Sequence, residues 1–329
     1  MALPPQSPAA GTPLARVPNG PVGTDRVTTG RYAPTPSGPL HVGNLRTALL
    51  AWCFARHDGG RFVMRVEDLT TGAAPLAEQE QLDDLAALGI DHDGPVTRQS
   101  THTERYAAAI GQLAAAGRTY DCYCTRREIR EAAAAPHGPG GLQPYPGTCR
   151  HLTAAATARQ VAAGRRPALR LAADGAQVGV QDELLGPLVA EVDDLVLRRA
   201  DGMPAYNLTV VVDDAAAGVD QVVRGDDLWF TTPRQVLLHH LLGLPVPRYV
   251  HVPLVLGDDG ERLAKRHGAI SLGQLAEVGV GPAQVVGACA ASVGLADVGE
   301  AFLADELLER FDPGRLHIGP HVHPVADGS

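Results

Sequence analysis

Between residues 28 and 88 the chain alternates twice between a short β-type run and a helical run, and this pattern limits the fold more than any other feature. Gly30-Arg31-Tyr32 reads as a short strand entering a Pro/Gly-rich turn, Ala33-Pro34-Thr35-Pro36-Ser37-Gly38-Pro39. A helix is expected from about Asn44 to His57, with Leu45, Ala48, Leu49 and Trp52 on one face, and Asp58-Gly59-Gly60 ends it. Phe62 to Leu69 alternates as a strand with Arg65 and Glu67 on one side, and a second helical run covers about Leu76 to Leu88. Strand, helix, strand, helix is the signature of a parallel sheet covered by helices, so the fold class is α/β.

The rest of the chain divides around that unit. Residues 1–26 hold six prolines and three glycines without apolar periodicity and read as a disordered leader. Residues 27–118 form the first half of an α/β domain, residues 119–200 an insertion, and residues 201–256 the second half. The insertion carries clustered cysteines and a Gly/Pro stretch from Pro136 to Gly147. After it, a strand pair is expected: Leu195 to Arg199, a turn at Asp201-Gly202, then Tyr206 to Asp213, whose Thr209-Val210-Val211-Val212 is nearly continuously apolar. Thr231-Thr232-Pro233 caps and opens a helix that Gly243 stops after Leu242. A strand from Tyr249 to Leu256 leads into a Gly257-Asp258-Asp259-Gly260 turn. Residues 257–315 then hold a basic loop and two or three Ala/Leu-rich helices, and 316–329 a disordered tail. No run of 18 or more apolar residues implies a membrane span, and the N-terminus carries no secretory pattern. The expected location is the cytoplasm.

Two segments have the chemistry to hold phosphate. In Pro36-Ser37-Gly38-Pro39-Leu40-His41-Val42-Gly43-Asn44 the glycines allow close backbone approach, and the following helix offers free amides and the positive end of its dipole. His41 and Asn44 are three apart and can face one ligand. The second segment is marked by composition. Of 28 basic residues, 27 are arginines and one is Lys265, in Glu261-Arg262-Leu263-Ala264-Lys265-Arg266-His267. Lysine is a compact point charge on a thin stem where arginine is a planar fork. On a loop it can swing onto phosphoryl oxygens as charge develops.

Together the segments resemble the two ATP-binding signatures of the class I aminoacyl-tRNA synthetases, His41-Val42-Gly43-Asn44 the first and Arg262-Leu263-Ala264-Lys265-Arg266 the second. The similarity is to the glutamate-specific branch and spans roughly residues 28 to 270. Arg31-Tyr32-Ala33-Pro34-Thr35-Pro36-Ser37-Gly38, Arg65-Val66-Glu67-Asp68, Tyr206-Asn207-Leu208 and Val223-Arg224-Gly225-Asp226-Asp227-Leu228 also look like that branch. The resemblance implies a Rossmann-like nucleotide-binding fold, split by the insertion, with a small helical C-terminal region. It implies that Arg31, Tyr32, Ala33, Pro34, Thr35, Glu67, Tyr206 and Arg224 hold glutamate, that His41, Gly43, Asn44 and Lys265 hold ATP, and that Lys265 and His41 are catalytic. The residue types suit a dicarboxylate amino acid, which needs arginine forks for its carboxylates and an acid for its ammonium. Two positions depart from the family: Arg262 stands where lysine is usual, and Ala264 where serine is usual.

Cys122-Tyr123-Cys124 and, 25 residues on, Cys149 supply three thiolates. An odd cysteine count with this clustering favours a metal over disulfides, and three sulfurs plus one further ligand suit a closed, structural zinc. Histidine is the usual fourth ligand, here His151 or His137. The short glutamyl-queuosine tRNA(Asp) synthetases instead use a Cys-x-Cys, Tyr-x-x-x-Cys pattern, which Tyr145 matches. About 60 residues follow Lys265, too few for the anticodon-reading region of a glutamyl-tRNA synthetase, and the chain is most similar to that short branch. The resemblance then implies glutamate activation with ATP and magnesium, and transfer to the cyclopentenediol of queuosine-34 in tRNA(Asp); the alternatives are a truncated glutamyl-tRNA synthetase charging the 3' end of tRNA(Glu) and a non-catalytic synthetase-like RNA-binding module. Net charge is −9, which excludes a broad basic nucleic-acid-coating face. Local arginines such as Arg126, Arg127, Arg130, Arg198 and Arg199 remain able to meet RNA phosphates. A monomer is expected, since the tRNA supplies the large partner surface.

Overall fold

The computed structural model describes residues 28–69, 75–132, 144–256, 270–317, 319 and 321–322. The first Rossmann-like half follows the expected alternation: β1 (Thr29–Tyr32), α1 (Val42–His57), β2 (Arg61–Val66), α2 (Pro75–Ala87), β3 (Thr97–Arg98) and α3 (Thr103–Ala115). β1, β2 and β3 are parallel, with Thr29 opposite Arg61 and Arg65 opposite Thr97. α1 is long because Leu45, Ala48, Leu49 and Trp52 all bury against the sheet and the C-terminal helices in one apolar core. Its exit is held by Arg56, which pairs with Asp91 and Asp93.

The middle contains β4 (Thr119–Cys122), α4 (Arg126–Ala132), α5 (Ala154–Ala162), β5 (Ala168–Leu171), β6 (Gln177–Asp182), β7 (Gly186–Glu191) and β8 (Val196–Arg198). β4, β5 and β8 form a small antiparallel sheet. The β6–β7 hairpin turns the other way. It joins α6 (Tyr206–Ala216), β9 (Gln221–Gly225), α7 (Thr232–Leu242) and β10 (Arg248–Val252) in the second half, where the strand order is β7-β6-β10-β9. β10 is parallel to both β9 and β6. The two sheets meet where Asp220 N–H donates to Thr29 O at 3.1 Å and the Asp220 carboxylate accepts from Thr29 N at 2.9 Å. β11 (Val255–Leu256), α8 (Leu272–Glu277), α9 (Pro282–Ala291), α10 (Ala304–Glu309) and β12 (His321–Val322) complete the chain. Among the described residues no helix is long and apolar enough to cross a membrane.

Three local expectations are corrected. The expected strand Tyr206 to Asp213 is the helix α6. Every residue from Leu208 to Asp214 is buried, so the helix has no polar stripe to give a 3.6-residue period. Its N-cap is Ala205, whose side chain cannot announce a helix start. The hairpin turn at Asp201-Gly202 does form, but its return arm is short: the bond from Arg199 N to Met203 O, the bridge of Arg198 to Pro204 and the bond from Ala205 N to Leu197 O. The strand expected from Tyr249 to Leu256 breaks at Pro253, which has no N–H for a ladder and whose carbonyl is taken by the buried Arg46. Thr231 does not cap α7; its hydroxyl donates back to Leu228 O at 2.8 Å, while Gly243 at φ 67° ends that helix as expected.

The halves are pinned by a buried charge cluster. Asp214 on α6 accepts from Arg65 of β2 at 2.5 Å and lies 3.5 Å from Arg31 Nε of β1. Its neighbour Asp213 accepts from Tyr106 at 2.6 Å, Gln99 at 3.2 Å and Arg105 at 3.2 Å. Burial alone would raise the Asp214 carboxyl, but Arg65 and Arg31 outweigh that and hold it below the ordinary aspartate value of 3.8. Its contribution to stability is therefore complete above about pH 4 and is lost as pH falls through the lower folded value. Asp214→Asn leaves two buried guanidinium groups without their shared counter-charge. It should lower unfolding free energy in urea at pH 7 by about 3–5 kcal/mol, and the gap to the parent protein should narrow below about pH 4.

Candidate active site and metal centre

A cavity of about 620 Å³ opens at the C-terminal ends of β1 and β9, between the Pro/Gly turn, the start of α1 and the start of α6. Ligands in open α/β sheets bind at this kind of crevice. Tyr32, Ala33, Pro34, Thr35, His41, Gly43, Asn44, Glu67, Tyr206 and Arg224 all line it, although they come from four separate stretches of chain.

The turn is held in shape from behind. Gln81 of α2 is buried and its Nε2 donates to Thr35 O at 3.1 Å and Gly38 O at 2.6 Å. Glu67 N donates to Pro34 O at 2.9 Å. His41 is the N-cap of α1, and its Nδ1 accepts from Gly43 N at 3.1 Å and Asn44 N at 3.4 Å. A neutral ring in that arrangement carries its proton on Nε2, the atom not committed to the cap. Asn44 closes a capping box, its Oδ1 accepting from His41 N at 3.4 Å. Gly43 leaves little room: a Cβ there would stand 3.1 Å from His41 Cε1 and 3.2 Å from Nδ1, so the ring would have to give by a few tenths of an ångström. Ile270, where the described chain resumes after the lysine loop, lies beside this helix start; Val42 N donates to Ile270 O at 3.3 Å and His41 bridges to Ser271. Arg262, Ala264 and Lys265 are outside the described residues.

The wall of the cavity around Glu67 and Arg224 holds buried charge of both signs. Burial raises the Glu67 carboxyl above its ordinary value, with Arg65 at 3.3 Å and Arg31 pulling the other way. Of the residues expected to hold glutamate, Arg31 is the one that does not line the cavity. It is 6% exposed and donates from Nη1 to Val223 O at 3.2 Å. Arg224 is 5% exposed and does line it. Its Nε donates to His251 Nε2 at 3.0 Å, Nη1 to Gln235 Oε1 at 2.7 Å and Nη2 to Thr232 Oγ1 at 2.8 Å. Gly225 follows because a Cβ would meet Asp227 Oδ1 at 2.7 Å and Leu254 Cδ2 at 2.9 Å. Tyr206, the first residue of α6, presents 42% of its surface. The sequence reading missed Gln81, Asp214, His251, Thr232 and Gln235 as supports of this site. They sit on elements distant in sequence, and no motif spacing links them to it.

The cysteine site is compact. The Sγ atoms of Cys122, Cys124 and Cys149 lie within 4.8 Å of one another, and no histidine among the described residues shares the cluster. Tyr145 Oη stands 3.3 Å from Cys122 Sγ and 3.8 Å from Cys124 Sγ, beneath the Arg170 guanidinium at 3.7 Å from its ring centroid. His151 is exposed, and His137 lies outside the described residues. Zinc–sulfur bonds of about 2.3 Å imply sulfur–sulfur edges of roughly 3.8 Å, so the donor set fits a tetrahedral zinc. Burial and the nearby Cys149 push the Cys124 thiol up to about 12, a barrier to its ionisation that a bound divalent cation removes. These four side chains are also the local core of the insertion, with little else but Tyr123, Tyr120, Ile129 and Leu152 packed on them.

Residues 26–320 match the family of tRNA synthetases class I (E and Q), catalytic domain, and the chain belongs to that family. It is 58% identical over 293 residues to the glutamyl-Q tRNA(Asp) synthetase of Nocardia farcinica, covering 89% of this chain and 92% of that one. It is 46% identical to the glutamyl-Q tRNA(Asp) synthetase of Symbiobacterium thermophilum, over 87% and 93% of the two chains. The glutamate–tRNA ligase of Nitrosospira multiformis is 40% identical, but only 62% of its length is matched. In three dimensions the protein resembles a glutamate tRNA ligase from Elizabethkingia meningosepticum crystallised with its amino acid, with a TM-score of 0.75 and 25% identity over 90% of this chain and 67% of that one.

Two measurements check the geometry. Metal analysis of freshly purified protein should give about one zinc per chain, and Cys149→Ser should lose it and unfold the insertion first under limited proteolysis. Gly43→Ala should displace the His41 ring and lower kcat/KM for ATP by about tenfold or more, with little change in the KM for glutamate.

Proposed function

We propose that the protein is a ligase that activates glutamate with ATP and transfers it to the cyclopentenediol of queuosine-34 in tRNA(Asp). The observation that carries this reading is the 58% identity, over nearly the full length of both chains, to a glutamyl-Q tRNA(Asp) synthetase. The cavity supports it with one buried carboxylate, Glu67, and one buried guanidinium, Arg224, on its wall. Glutamate brings the complement, an ammonium for Glu67 and a carboxylate for Arg224. Arg31 acts from beneath, through its field and through the Val223 carbonyl. Tyr32, Ala33, Pro34, Thr35 and Tyr206 shape the slot around the substrate.

In the first step a glutamate α-carboxylate oxygen attacks the α-phosphorus of ATP in line, and pyrophosphate departs. His41 donates from Nε2 to the phosphates, Gly43 and Asn44 keep that ring and the helix N-terminus in place, and Lys265 meets the charge that develops on the α-phosphoryl oxygens. Magnesium bound with ATP would supply charge neutralisation for the departing pyrophosphate. In the second step a queuosine diol hydroxyl attacks the acyl carbon of the mixed anhydride, an ester forms, and AMP carries away the bonding pair. No side-chain nucleophile takes part, so acceleration comes from positioning and charge. Cys122, Cys124, Cys149 and Tyr145 hold one structural zinc. The exposed Arg126 and Arg130 are suited to anticodon-loop phosphates, whereas Arg199 is engaged by Asp201 at 2.6 Å and Arg127 by Glu131 at 3.8 Å. The protein works as a cytoplasmic monomer on this reading.

Labelled glutamate should enter tRNA(Asp) that carries queuosine and should not enter the same tRNA made without it. Incorporation into queuosine-free tRNA(Glu) would overturn the assignment. Glutamate-dependent ATP–pyrophosphate exchange should proceed without tRNA, and Lys265→Ala should slow it by about 10²–10³.

A further inference from the structure

Arg224 differs from the other buried arginines of the site in its company. Arg31 and Arg65 share Asp214, whereas none of the nitrogens of Arg224 lies in an ion pair among the described residues. Its partners are an imidazole nitrogen, an amide oxygen and a hydroxyl. A guanidinium has five N–H donors, and these three contacts leave one on each terminal nitrogen. A buried cation with neutral partners is costly until an anion arrives, and its remaining donors are the end that reads a carboxylate.

The imidazole is itself locked. His251 on β10 has no exposed surface. Its Nδ1 lies 2.7 Å from Asp182 Oδ2, at the end of β6. Asp182 also accepts from the backbone N–H of His251 at 3.0 Å, Leu184 at 2.9 Å and Leu185 at 2.8 Å, so its position is fixed on both oxygens. A carboxylate surrounded by N–H donors accepts, which puts the ring proton on Nδ1 and leaves Nε2 as an acceptor for Arg224. Trp229 and Tyr249 hold the ring from its sides, with centroids at 5.0 and 6.1 Å. Burial keeps the ring neutral, its pKa pushed down to about 4. A protonated ring would turn an N–H against the Arg224 N–H.

We propose that His251, oriented by Asp182, is a positioning residue that fixes the plane of the Arg224 guanidinium, with Thr232 and Gln235 as its other two stops, so that the substrate carboxylate meets a pre-set fork. Asp182 and His251 touch neither ATP nor the acceptor on this account; they act through Arg224. The inference rests on the reading of Arg224 as a glutamate-binding residue. It adds that part of the glutamate affinity is stored in three strands, β6, β10 and β9, rather than in the pocket wall.

The test is tRNA-independent ATP–pyrophosphate exchange on the full-length protein, with glutamate and ATP varied separately. His251→Leu removes the acceptor and should raise the KM for glutamate by about tenfold or more while the KM for ATP stays within about twofold. His251→Gln, which can place an amide oxygen near the Nε2 position, should return the glutamate KM to within about threefold of the parent. A glutamate KM for His251→Leu within about twofold of the parent overturns the proposal. So does a parallel rise in both KM values, or a His251→Gln variant no better than His251→Leu. Should His251→Leu fail to fold, Thr232→Val and Asp182→Asn make the same comparison, each expected to raise the glutamate KM selectively. Arg224→Ala separates the two levels. If it leaves the glutamate KM unchanged, the pocket assignment itself fails; if it raises that KM while His251→Leu does not, only the positioning role falls.

Discussion

One buried carboxylate, Asp214, is shared by Arg31 and Arg65, and the catalytic half-domains cannot come apart without breaking that contact. The two arginines lie on β1 and β2, before the insertion. Asp214 lies on α6, after it. Some 149 residues separate Arg65 from Asp214 in the chain, so the pair closes a very long loop. The consequence reaches the cavity within two residues. Arg65 and Glu67 alternate to the same side, one tied to Asp214 and the other turned to the pocket wall. The pin that joins the halves therefore also sets where the acidic partner of the substrate stands.

Charge in the site is distributed by company rather than by residue type. Arg31 and Arg65 are compensated inside the protein, and their work is to hold structure and to bias Glu67 toward ionisation. Arg224 is equally buried but surrounded by neutral acceptors, and on the proposed reading its counter-charge is the substrate carboxylate. An anion thus gains both a fork and relief of an uncompensated charge, while a neutral molecule gains neither.

The insertion solves a different problem. Its three-stranded sheet and two short helices bury few apolar side chains, and the buried members of its local cluster are Cys122, Tyr123, Tyr145 and Cys149. A small unit with so little core is usually cross-linked, and the sulfur and phenol spacing supplies a place for one cation to do so. The β6–β7 hairpin, by contrast, leaves the small sheet and pairs through Tyr249 opposite Asp182 with β10. That pairing carries Asp182 to His251, so a segment within the insertion's span of sequence reaches the back of the active site.

Local pattern was enough for α1, β2, α2 and the start and stop of α7, because each has an apolar period, a glycine or a proline acting within a few residues. It was enough too to single out Cys122, Cys124 and Cys149, which the fold brings together, and the turn through His41, Gly43 and Asn44, which the fold places on the cavity wall; Tyr145 came from the family resemblance, where the residues alone favoured a histidine. It failed at α6, where a helix buried all round has neither a polar stripe nor a capping side chain, and at Pro253, where a tertiary contact to Arg46 takes the carbonyl. It could not reveal Gln81 behind the Pro/Gly turn, or Asp182 and His251 behind Arg224. The sequence by itself determined the alternating sheet-and-helix class and the clustered cysteines of the insertion. Only the tertiary structure decided which arginine has an internal counter-charge and which does not, because that depends on burial and on partners brought from other strands, and neither is written in local spacing.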